Sequence, residues 1–192
     1  MDTATRRFYE IVHGNSQRHA REKLLEAAAP AVCTLLSESH CIFSPESDAV
    51  LRRFLPITAA GIGTPQFLAP GYSFHEFAWE ARLFRSLQHA AELGQGPAYL
   101  ALRPPIVDFD FENNAFYVPQ LPVFVVEFRV AARMLEKLWS SACRFIALVS
   151  VDHSAGVVID DYIRYQSFRY PLEVVYRVAS WCGNRDITSP CT

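Results

Sequence analysis

Between Tyr72 and Asp161 the spacing of apolar positions changes period several times, and each change predicts an element. Ser73-Phe74-His75-Glu76 has the form of a capping box, in which Ser73 accepts from the Glu76 N–H and the Glu76 carboxylate reaches back to the Ser73 N–H. From there to Leu93 the chain contains neither Pro nor Gly, and Gly94 supplies a residue suited to ending a helix. A helix over 73–93 gathers Phe74, Phe77, Ala81, Phe84, Leu87 and Ala91 on one broad face. Glu80 falls between the directions of Phe84 and Leu87, on the core side. A carboxylate placed there must snorkel, pair with a cation or bind a metal.

After Gly94 the pattern turns to strands. Ala98–Leu102 is rich in β formers, and Ile106–Phe111 alternates, so that Asp108 and Asp110 share one face opposite Val107, Phe109 and Phe111. Glu112-Asn113-Asn114 reads as a turn. Pro122–Val130 is an almost continuous apolar run, the mark of a central strand buried on both faces, and Glu127 and Arg129 near its end share a face. A helix with Met134, Leu135, Leu138, Trp139 and Ala142 inward follows, then a buried strand over 145–151. Asp152–Gly156 reads as a hairpin turn into Val157–Ile159. The expected sheet has the Pro122–Arg129 strand between Ile106–Phe111 and Phe145–Val151, with the 73–93 helix packed on it through Phe77 and Phe84.

The N-terminal third reads as helices. Thr5–His13 and Gln17–Ala29 are predicted as two, separated by Gly14-Asn15-Ser16, and Pro30 restarts a third before Ala31–Leu36. A short helix after Ser47 or Asp48 carries Val50, Leu51 and Phe54. At the other end Arg164–Tyr170 alternates bases with aromatics, a composition that stacks on nucleobases and equally one that makes an edge strand or protein interface. Pro171 opens a predicted last helix with Leu172, Val175, Tyr176 and Ala179 inward, ending at Gly183. The chain reads as one domain: a helical region over 1–60, an α/β core over 72–161, and a C-terminal strand and helix over 162–192. The fold class is α/β (α+β), a central mixed sheet flanked by helices.

Composition narrows the function classes. At 192 residues and 51% hydrophobic, the chain can bury a sizeable core unaided. A formal charge of −2 gives no global basic footprint, which counts against coating nucleic acid by electrostatics alone. The five cysteines, Cys33, Cys41, Cys143, Cys182 and Cys191, form no CxxC pair, and the odd count fits an intracellular, reducing setting. His40-Cys41 lacks a second pair at zinc-finger spacing. Gly61–Pro65 lacks the Lys-Ser/Thr ending of a phosphate loop and reads as a turn; Arg52-Arg53 reads as a solvated basic spot. Adjacency of His153 and Ser154 says nothing of the geometry that a nucleophile and base require. No apolar run approaches the roughly twenty residues that span a bilayer, and no membrane association is expected.

The order of helix with Glu80, strand with Asp108 and Asp110, strand ending Glu127-Phe128-Arg129, helix and strand resembles the core of the PD-(D/E)xK nuclease superfamily over residues 72–161. The resemblance implies a restriction-endonuclease-like core in which Glu80, Asp108 or Asp110, and Glu127 hold Mg²⁺ or Mn²⁺ against a phosphodiester of nucleic acid. Arg129 stands where the family has Lys. A guanidinium stays protonated, so it orients water or phosphate but exchanges protons poorly, which implies impaired or absent endonuclease activity. Lys137 is more simply a solvated partner of Glu136 than a relocated family lysine. The second function class is a non-catalytic protein-interaction or scaffold subunit. It would use the same polar residues as a satisfied charge cluster, with Glu127 paired to Arg129 or to a neighbouring arginine, and Arg164–Tyr170 as a contact with a protein partner.

Overall fold

A computed structural model describes residues 3–47, 49–50, 75–77, 94–102, 122–141, 145–164, 173–182 and 185–186. Two helices come first, α1 (Thr3–Ala27) and α2 (Pro30–Glu38). Strands β1 (His40–Ile42), β2 (His75–Phe77), β3 (Pro97–Leu102) and β4 (Val123–Glu127) follow, then helices α3 (Phe128–Arg133) and α4 (Leu135–Ser141). Strands β5 (Phe145–Ser150), β6 (Ala155–Arg164), β7 (Glu173–Cys182) and β8 (Arg185–Asp186) close the order. The chain is therefore mixed α and β.

The strands form one sheet in the order β1-β4-β3-β5-β6-β7-β2, with β8 on β7. Every described pairing is antiparallel, which corrects the mixed sheet expected from the sequence. The apolar run after Pro122 does form an interior strand, but β4 lies between β1 and β3, and β5 is one place further away. His40 and Tyr99 are the two register partners of Val125. The Ile106–Phe111 segment expected beside β4 lies outside the described residues, as do Phe84 and Cys143.

Among the described residues both faces of the sheet carry buried side chains. On one, Leu100, Phe124, Val126, Ile146, Leu148, Val157 and Ile159 pack against Leu24 of α1, Val32 and Leu36 of α2, and Phe128, Leu135 and Leu138 of α3 and α4. On the other, Ile42, Ala101, Val123, Ala147, Val149, Val158 and Trp181 form a second cluster with Val50. The alternation of period two separates the two sets, so continuous apolar strands supply both cores at once.

Three helix predictions are corrected. The Gly14-Asn15-Ser16 break does not occur, and α1 runs unbroken through it. Asn15 does not cap a new helix; its Oδ1 accepts from Arg18 Nη1 at 3.0 Å. Two residues later Gln17 is buried, its Nε2 donating to Ser47 Oγ at 2.8 Å while its Oε1 accepts the Ser44 N–H. These bonds fasten the middle of α1 to the turn after β1, and tertiary contact overrides local turn preference.

In the other two, strand is found where helix was expected. Within the predicted 73–93 helix, residues 75–77 form β2, where His75, Glu76 and Phe77 pair with Val178, Arg177 and Tyr176, and residues 73–74 and 78–93 lie outside the described residues. The predicted helix after Pro171 is β7, paired over ten residues with β6, from Ala155↔Cys182 to Arg164↔Glu173. Val174, Val175, Tyr176 and Val178 are β-branched or aromatic, and such side chains favour a pleated surface over a helix turn. The restart at Pro30 and the hairpin at Asp152 stand as expected. Residues 46–47 and 49–50 are helical, at the point where a short helix was expected.

Candidate functional site

The predicted acidic cluster is described at Glu127 only. Glu80, Asp108 and Asp110 lie outside the described residues, so their convergence on Glu127 is not on view. Among the described residues no group of three or more His, Cys, Asp or Glu side chains is placed to hold a metal ion. Glu127 is exposed at the end of β4 and caps α3 through its backbone alone.

The shared strand face expected of Glu127 and Arg129 is not formed, because the strand stops between them. Phe128 begins α3, its N–H donating to Gly96 O at 2.9 Å and its ring lying over Gly94, where a Cβ would come within 2.3 Å of the ring. Arg129 sits one residue into the helix and donates Nε–H to Gly94 O at 3.3 Å. The two do not form the expected ion pair; a residue pair spaced i, i+2 faces one way in a strand but diverges by about 200° in a helix.

The remaining sequence candidates resolve into structural parts. His153 and Ser154 belong to the β5–β6 turn. There the His153 N–H donates to Ser150 O at 2.8 Å, the Ser154 hydroxyl to Asp152 Oδ1 at 2.8 Å, and the Ser154 N–H to the same oxygen at 3.0 Å. That Ser154 N–H, with the serine hydroxyls, holds the Asp152 carboxyl down at about 2. His153 adopts φ 63 and its carbonyl accepts the Trp181 Nε1–H at 3.0 Å. Cys41, in β1, is pushed up to about 11 by burial against the opposing charge of Arg21, so at neutral pH it is a thiol and a poor ligand or nucleophile. Lys137 and Glu136 are both exposed on α4. Of Arg164–Tyr170, Arg164 is the last residue of β6 and 165–170 lie outside the described residues.

A different surface emerges on α1. The face turned inward carries Gly14, Gln17, Ala20 and Leu24, all buried. On the opposite face of the first half lie Phe8, Ile11 and Val12, exposed by 64%, 56% and 42%. Their spacing of three and four residues makes them neighbours along one stripe. The signal was legible as i, i+3, i+4 at 8, 11 and 12, yet sequence alone assigns such a stripe to the core. Only the position of Gln17, Ala20 and Leu24 shows that the core takes the other side.

No membrane-crossing helix occurs among the described residues, none being long and apolar enough. No curated protein and no solved structure matches the chain. The family model described as YokC prophage protein matches residues 1–180, and the chain is a member of that family.

Proposed function

We propose that this protein is a non-catalytic interaction module that docks a protein partner through the outward face of α1. The observation supporting this reading is the apolar stripe of Ile11 and Val12 with Phe8, set opposite the face that α1 buries. A helix lying on a domain normally turns charged and polar residues outward, and adjacent apolar side chains left in water are the usual mark of a contact surface. Arg164–Tyr170, with its alternating bases and aromatics, is a second contact region under the same proposal.

The competing reading is a degenerate nuclease with a restriction-endonuclease-like core, using Glu80, Asp108, Asp110 and Glu127 on Mg²⁺ or Mn²⁺ and nucleic acid. One experiment separates the two. Tagged wild type and an Ile11→Glu/Val12→Glu variant of matched melting temperature are used for cross-linking and capture from the native host, alongside cleavage assays on DNA and RNA with each metal. A protein retained by wild type and lost from the variant, with cross-links on α1, is the expected result. Metal-dependent cleavage, or identical captures from both forms, overturns the proposal.

A further inference from the structure

We draw no further inference here: the strongest candidate, the exposed apolar stripe of Phe8, Ile11 and Val12 on the first half of α1, belongs to the surface on which the interaction reading already rests, and nothing in the structure shows what covers it.

Discussion

Gly156 has no room for a side chain, because a Cβ there would lie 2.3 Å from Cη2 and Cζ2 of the Trp181 indole. The ring cannot easily retreat: its Nε1–H is bonded to the His153 carbonyl and the residue is 3% exposed. Gly156→Ala is therefore expected to cost about 1–3 kcal/mol by overpacking. At roughly 2–4 °C per kcal/mol for a chain of this size, a thermal melt should register it. In a Gly156→Ala/Trp181→Phe double variant the two losses should be less than additive, since the smaller ring relieves the clash. Two residues before the turn ends, Asp152 offers a pH test. Its folded value of about 2 lies below the roughly 3.9 of an unfolded aspartate, so the unfolded chain binds more protons in that interval. The contribution to stability is present above about pH 4 and is lost as pH falls through about 2. It is small, because the carboxylate is exposed to solvent. Carboxyl NMR titration should give a midpoint near 2, and a midpoint near 4 would show that the Ser154 bonds do not persist in solution.

At the scale of elements, α1 contains a glycine that its own backbone does not need. A Cβ on Gly14 would meet Arg18 Nη1 and Ser44 O at 3.9 Å, ordinary van der Waals distance. Gly14→Ala should stabilise the protein by about 1 kcal/mol, the usual difference between these residues inside a helix, and chemical denaturation should show a raised midpoint. A lowered midpoint would mean that Gly14 allows a close approach to the turn after β1. The same glycine explains why α1 reads as two helices in the sequence: Gly14-Asn15-Ser16 is a fair turn signal, and the bonds from Gln17 to residues 44 and 47 that overrule it join positions 27 and 30 apart. What was legible were elements whose pattern has one interpretation, namely α2 after Pro30, the β4 run and the β5–β6 hairpin. Residues 172–179 satisfy both helical spacing at Leu172, Val175, Tyr176 and Ala179 and alternation at Val174, Tyr176 and Val178. Ten rungs of pairing with β6 decide between them, and a pattern of spacing cannot anticipate a partner strand.

On the scale of the whole molecule, strand order was the least legible feature, since β4 takes the distant β1 as a neighbour and leaves β5 to β3. The candidate site suffered from a smaller error with a larger consequence. The expected strand runs to Arg129, whereas the bond from the Phe128 N–H to Gly96 O and the packing of its ring on Gly94 end it at Glu127. That shift of two residues separates Glu127 from Arg129 and removes their shared strand face, one of the features that carry the nuclease resemblance. The interaction reading then makes a quantitative prediction about metal. A cation site with Kd near 0.1 mM would add about 2.7 kcal/mol at a hundredfold excess of Mg²⁺ or Mn²⁺. Such a gain would raise the melting temperature by roughly 5–11 °C. We expect no such rise in wild type, and no difference between wild type and Glu127→Ala in the presence of metal. Arg129→Lys restores the family pattern in sequence, yet the residue lies in α3 with its guanidinium on Gly94 O, so the change should lose one hydrogen bond and gain no cleavage of DNA or RNA. A metal-induced rise abolished by Glu127→Ala, together with cleavage by Arg129→Lys, would place a cation at the end of β4 after all and return Glu80, Asp108 and Asp110 to the site.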